Sequence, residues 1–386
     1  MPINDSFSYQ HVSAELRVFH GSDSLASLKR ELDRAGFQRA VVVCGNTISQ
    51  GSVLDTLRNQ MGTSLAAVAA TAKEHSPASG VEETVRIFEE VNADAIIAVG
   101  GGSAAVTARA ASILAGEKKP LAELCTRRLP DGKFESPRLN APKLPIFVVP
   151  TTPSTAFVKA GSAVHDEAGQ RLALFDPKTR ARGIFVHPEF VATAPVELVR
   201  NAALNAFANA VEALESPRCD PISEAFLMQS LRILSRKLPL LEGGTGTEIR
   251  ENLVIAALLC GRGTEQGGAG LASVLAHAIG QRNHVANGIV NAIVLPHTMH
   301  YNMPATQDRQ AAILEGLGIT AGTEAGKAVS SFLAKLDAPT TLRAIAVPEN
   351  ELLEIAEAAM LDWFISRAPR YVPNAEALQK ILQAAW

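Results

Sequence analysis

Asn205 and Asn209 stand four residues apart in the run RNAALNAFANAVEAL, and Ser273 and His277 repeat that spacing in GLASVLAHAIG. Asn287 follows in HVANGIVNAIVLPH. Residues i and i+4 share one face of a helix, so the pattern predicts two helices and a following turn whose side chains converge at one point. A metal centre is built on such spacing, yet the groups offered are three amides and a hydroxyl. Divalent transition metals want imidazole, thiolate or carboxylate donors, and a neutral amide oxygen is a poor substitute. What remains is hydrogen bonding, with His277 able to carry a proton near neutral pH.

A second candidate is Gly100-Gly101-Gly102-Ser103, between the apolar run DAIIAVG and the helical AAVTARAASILAG. Glycines let a ligand approach the backbone, and a helix N-terminus offers free N–H groups and the positive end of a dipole. A pyrophosphate suits that turn. A bare strand-to-helix turn would also explain it, although three glycines exceed what a turn needs. The run is not the GxGxxG fingerprint of the Rossmann fold. Thr151, Thr152 and Thr155 follow the next strand, where hydroxyls can hold a ribose or a nicotinamide amide, or simply cap a turn.

The elements that must position these groups alternate at first. RAVVVCG (39–45), SLAAVAAT, DAIIAVGGGS (94–103) and LPIFVVPTT (144–152) read as strands, separated by the helical SVLDTLRNQMG and GVEETVRIFEEVNA. Alternation of this kind predicts a mainly parallel α/β sheet with ligands at the carboxyl ends of its strands. After about residue 190 Ala/Leu-rich segments at helical period dominate, which predicts an all-α second domain. The boundary is expected after residue 162, giving domains 1–162 and 163–386. The polar stretch 126–143 reads as a solvated loop.

Composition narrows the function classes. A chain of 386 residues is too long for one ordinary core. A net charge of −3 provides no basic footprint for nucleic acid. No apolar run reaches the ~18 residues of a membrane span, and MPINDSFSYQ has no signal-peptide core. Cys44, Cys125, Cys219 and Cys260 are scattered, as buried thiols of a reducing compartment would be. A cytoplasmic location is expected.

With ELRVFHG near the start and HSP at 75–77, the segments DAIIAVGGGS, PTT, NAVEAL and HAIGQRNHVANGIVNAIVLPH resemble, in order and spacing, the iron-containing (group III) alcohol dehydrogenase superfamily. Within it the maleylacetate reductase-like branch is the most similar, and the resemblance spans nearly the whole chain. It implies an α/β N-terminal dinucleotide-binding domain and an all-α C-terminal domain (the dehydroquinate synthase-like architecture). It also implies a cleft between them, NAD(P)H-dependent carbonyl reduction, and often a homodimer. Carried over residue by residue, the family's four metal-ligand positions correspond to Asn205, Asn209, Ser273 and Asn287, where typical members carry an aspartate and three histidines. Maleylacetate reductases tend toward Asn at the first. Loss of all three histidines together implies a site without metal. His277 matches a histidine that the family retains beside the site.

Departures also touch the cofactor region. Val106 replaces the acid of the family's GGGSxxD, and TTxGTGSE becomes Thr151 to Val158 with two glycines lost and the Phe157 ring added. Gly45 stands where many relatives carry an acid after the first strand. An acid there would repel the 2′-phosphate of NADP, so NAD and NADP are both admitted.

Three hypotheses follow. The first is a metal-independent NAD(P)H-dependent reductase of a small carbonyl compound, a keto acid among the options, with His277 as proton donor and the amides orienting the substrate. The second is a non-redox lyase, isomerase or hydrolase on the same fold; the third is an inactive nucleotide-binding homologue. An anionic substrate would need a cation, for which Arg282, Arg262 and Lys159 are the candidates. His284, His297 and His300 do not make a convincing ligand set. Glu212, Asp176 and His187 read as structural.

Overall fold

The computed structural model describes residues 8–129, 134–243, 246–319 and 322–386. Two compact units are formed, one of Leu16–Val199 with Gly244–Val254, the other of Met1–Glu15 with Arg200–Gly243 and Ile255–Trp386.

The first unit runs β1 (Arg17–His20), α1 (Ser24–Ala35), β2 (Ala40–Cys44), α2 (Asn46–Ser49), α3 (Ser52–Met61), β3 (Leu65–Ala69), α4 (Ala78–Glu90), β4 (Ala95–Gly100), α5 (Gly102–Glu117) and α6 (Leu121–Leu124). The short pair β5 (Arg127–Arg128) and β6 (Phe134–Glu135) precedes β7 (Ile146–Pro150), β8 (Gly161–His165), β9 (Arg171–Phe175), β10 (Ala181–Val186) and α7 (Pro188–Ala192). Six strands make one parallel sheet in the order β1-β10-β7-β4-β2-β3. Every residue of β2, β4 and β7 is buried. That is why they read as unbroken apolar runs, as strands of covered parallel sheets do. Leu25, Leu28 and Leu32 of α1 and Leu54, Leu57 and Met61 of α3 pack with Val42, Ile97, Val99 and Phe147 in the core.

The expected boundary after residue 162 falls too early. β10 inserts between β1 and β7, pairing Val18 with Ile184 and Ile184 with Val148, so the sheet is incomplete before Val186. Neither β10 nor the antiparallel β8–β9 pair was expected. Their sequences lack the long apolar runs of β2, β4 and β7. The first unit also recruits Gly244–Val254: Arg250 donates to the carbonyls of Val191 at 3.0 Å and Ala194 at 2.5 Å. The stretch 126–143 is not all solvated loop. The Lys143 side chain is fully buried, 2.7 Å from Glu117 and 3.3 Å from Asp176. Residues 130–133 of that stretch lie outside the described residues.

The second unit is helical: α8 (Val196–Glu215, from Arg200 on), α9 (Pro221–Lys237), α10 (Glu248–Gly267, from Ile255 on), α11 (Leu271–Asn283), α12 (Asn287–Thr306), α13 (Gln310–Gly316), α14 (Ala325–Leu333), α15 (Leu352–Ala359) and α16 (Ala375–Ala385). Asp220 caps α9 by accepting the N–H groups of Ile222 and Ser223, and Pro221 occupies the first turn. All four cysteines are free and buried. Burial pushes the thiol of Cys44 up to about 11 and that of Cys219 to about 12.

Candidate functional site

The chain order reverses at β2, which pairs with β3 on one side and β4 on the other; ligands of open α/β sheets bind beyond the carboxyl ends at such a point. Cys44 pairs with Val99 and Gly100 with Pro150, so Gly45, Gly100 to Ser103, and Thr151 with Thr152 lie along one edge. Gly100 has φ 144°, a conformation that L side chains rarely adopt. A Cβ on Gly101 would stand 3.0 Å from Thr152 Oγ1, and one on Gly102 2.8 Å from Ser154 Oγ. The glycines are therefore needed by the turn's own hydroxyls as well as by any ligand. Gly45 opens α2 in an extended conformation, where a Cβ would lie 3.2 Å from the Ala72 carbonyl.

No side chain caps the first turn of α5, so its N–H dipoles are left for solvent or an anion. Small residues, hydroxyls and an uncapped helix start together suit a pyrophosphate. Thr155 begins the 3-10 turn Thr155–Val158, whose Ala156 N–H donates to Ser154 Oγ at 3.2 Å. Phe157 is only 1% exposed. The bulk expected to crowd a cofactor is instead packed into the interior. Arg109 in α5 clamps this turn, donating to the Ala156 carbonyl at 2.5 Å, to Ser162 Oγ at 3.3 Å and to the Gly161 carbonyl. Burial, and then Arg180, lower its pKa to about 10. Ser76 Oγ donates to the Ser103 carbonyl at 3.3 Å from a left-handed backbone (φ 47°). Arg109 did not stand out in the sequence, and Ser76 did so only within the HSP segment.

In the second unit the start of α12 packs on α8, and Ser273 of α11 meets Asn209 of α8, but the side chains expected at one point have separate partners. Gly288 makes the close approach of α12 to α8 feasible: a Cβ there would lie 1.8 Å from the Asn201 carbonyl oxygen. Asn287 rests against α11, its Oδ1 lying 2.6 Å from where a Gly280 Cβ would be. Ser273 Oγ is 2.6 Å from Glu212 Oε2 and 3.1 Å from Asn209 Oδ1, and its N–H donates to Glu212 Oε1 at 3.0 Å. Asn205 does not join that trio; its Oδ1 accepts from Asn291 Nδ2 at 2.9 Å.

Burial raises the Glu212 pKa against the bonds from Ser273, Gly270 and Ala272. The single hydroxyl of Ser273 thus joins Glu212 to Asn209. Glu215, one turn on, is pushed up to about 8 by burial, against bonds from Asn302 and Thr306 and with Glu212 adding to the rise. Asn291 Oδ1 is buried without a hydrogen-bond partner.

This donor set does not fit a transition metal. The oxygens of Asn205 and Asn209 already accept hydrogen bonds, Ser273 is tied to Glu212, and no imidazole belongs to the trio. His277 lies outside that trio. Its Nδ1 is 2.8 Å from Asp362 Oδ2, and its ring centroid is 6.1 Å from that of Phe364.

The expected cations fare unequally. Arg282 is neutralised by Glu351 at 2.7 Å and Glu354 at 2.5 Å. Arg262 donates to the Ala14 carbonyl at 2.9 Å and lies 3.4 Å from Glu265. Lys159 belongs to the first unit, following the Thr155–Val158 turn. His284 adopts φ 55° at the end of α11, and His300 lies 3.6 Å from Glu324. His187 Nε2 lies within hydrogen-bond reach of the Ser22 carbonyl at 3.1 Å, consistent with a structural role.

Comparison with known proteins covers both units. A model described as iron-containing alcohol dehydrogenase matches residues 16–188, and one described as the Fe-containing alcohol dehydrogenase family, C-terminal, matches 200–386. Lactaldehyde reductase of Escherichia coli (strain K12) is 26% identical over 96% of this chain and 97% of its own length. Maleylacetate reductase of Rhizobium sp. (strain MTP-10005) is 27% identical over 98% and 97%. The solved alcohol dehydrogenase from Oenococcus oeni superposes with a TM-score of 0.89 at 21% identity, covering 96% of this chain and 98% of that one. The parallel sheet with its glycine turn, the helical second unit and the two matched models together show that the chain belongs to the iron-containing alcohol dehydrogenase superfamily, among relatives that include maleylacetate reductases.

Proposed function

We propose that this chain is an NAD(P)H-dependent oxidoreductase that reduces a small carbonyl compound without a transition metal. The redox class rests on the family and on relatives such as lactaldehyde reductase and maleylacetate reductase. Metal independence rests on one observation: the hydroxyl of Ser273 is shared between Glu212 and Asn209 where a metal-binding cluster would need free anionic or imidazole donors.

A dinucleotide held at Gly100, Gly101, Gly102 and Ser103, with Gly45, Thr151, Thr152 and Thr155 beside it, supplies the hydride when bound. His277 supplies the proton. Its Nδ1 is turned to Asp362, and a proton given by the imidazole to the oxygen that gains negative charge replaces Lewis-acid polarisation. Asn205, Asn209, Ser273 and Asn287 orient the substrate by neutral hydrogen bonds. A homodimer in the cytoplasm, acting on a small molecule, completes the reading.

The test combines three measurements on purified protein. NADH or NADPH must bind, a carbonyl panel must drive dinucleotide oxidation, and EDTA must leave that rate unchanged. One tightly held iron or zinc per subunit by elemental analysis, with activity lost on chelation and restored by the metal, defeats the metal-independent reading.

A further inference from the structure

Arg367 is a partly buried cation with no ion pair among the described residues. It ends the 3-10 turn Ile365–Arg367, five positions beyond Asp362. Its guanidinium lies over Phe364, with Cζ 5.2 Å from the ring centroid. His277 is the other neighbour of that ring, at 6.1 Å between centroids. Arg367 also packs on Gly268, which has φ +79° and where a Cβ would stand 3.0 Å from Nη1. From Gly268 the chain enters α11 within three residues, and that helix carries Ser273 and His277.

The charge felt at this guanidinium is of the wrong sign. Burial, and then Arg218, lower its pKa. No carboxylate offsets either effect, in contrast to Arg282 and Arg262. Desolvating a guanidinium without a counter-ion is unfavourable, and an anion arriving with a ligand removes that cost through a charge-assisted, bidentate pair.

We propose that Arg367, with Arg218 close by, anchors a carboxylate of the substrate, so that the carbonyl compound reduced here is an oxo acid. Phe364 spaces the guanidinium from the imidazole. A short-chain acid meets Arg367 with its carboxylate and His277 with its carbonyl oxygen. The inference rests on the reductase reading for the reaction, but carboxylate binding can be tested without it.

The experiment is calorimetric titration of the full chain, without dinucleotide, using 2-oxobutanoate, 4-oxopentanoate and their methyl esters. At least one acid is expected to bind about tenfold or more tighter than its ester. Arg367→Gln should erase that preference. Should that variant fail to fold, Arg367→Lys decides, because losing the fork must weaken the acid at least about threefold and leave the ester unchanged. Equal affinity of acid and ester, binding of neither, or a preference that survives Arg367→Gln or is untouched in Arg367→Lys overturns the anchor. Parallel titrations with NADH and NADPH keep the two ideas apart. Dinucleotide binding without acid selectivity sinks only the anchor; acid selectivity without dinucleotide binding sinks only the reductase.

Discussion

His277 and Asp362 form a dyad: Nδ1 stands 2.8 Å from Oδ2, while Oδ1 of the same carboxylate accepts the Phe364 N–H at 2.8 Å. A carboxylate fixed at both oxygens holds the imidazole in one orientation and sets which nitrogen faces away from it. Asp362→Asn is expected to lower kcat by roughly tenfold to a hundredfold and leave dinucleotide affinity unchanged. A pH–rate profile separates this role from a structural one, since its limb assigned to the proton donor should move in the variant. An unchanged profile and kcat would remove Asp362 from the mechanism.

Restoring the family's ligand types tests the amide cluster from the opposite direction. The variant carrying Asn205→Asp, Asn209→His, Ser273→His and Asn287→His should take up about one zinc or iron per chain, measured by mass spectrometry after desalting. The parent should take up none under the same loading. Ser273→His alone removes the hydroxyl partner of Glu212 and is expected to lower the melting temperature.

Glu215 links stability to pH. Its folded pKa of about 8 lies above the ordinary carboxyl value of 4.5, so the unfolded chain loses this proton first as pH rises. Stability from this group is fully present below about 4.5 and declines as the pH climbs through about 8. Glu215→Gln keeps an acceptor for Asn302 and Thr306 without the titration. Its melting temperature should therefore vary less between pH 5 and 8 than the parent's, and should exceed the parent's at the upper end. Parallel melting curves for the two proteins would refute this account.

Gly102→Ala probes the glycine turn. The added methyl meets Ser154 Oγ at 2.8 Å and must displace it or the helix start, so NADH and NADPH should bind about tenfold more weakly with little change in melting temperature. Fluorescence titration checks it.

Much of this was readable from local pattern. β2, β4 and β7 are strands whose whole length is buried, and such strands write themselves as apolar runs. Asn205, Asn209, Ser273 and His277 lie on two helices whose period is plain. What escaped depends on distant partners. Asp362 is 85 residues from His277, just past the end of α15 at Ala359, and Arg367 resembles any surface arginine until its ion pairs are sought. Phe157 looked obstructive because sequence shows volume and not direction. The early boundary arose because β10 is a central strand that follows a hairpin, and neither gives a long apolar run.

The recruitment of Gly244–Val254 bears on how the protein is made. Arg250 satisfies the carbonyls of Val191 and Ala194, and Glu251 reaches His20 at 2.7 Å. On the ribosome, a nascent chain halted at residue 199 would leave those acceptors waiting for a segment about fifty residues further downstream in the message. Cutting the gene at the seam between the two matched family segments therefore leaves the N-terminal fragment without one of its own struts.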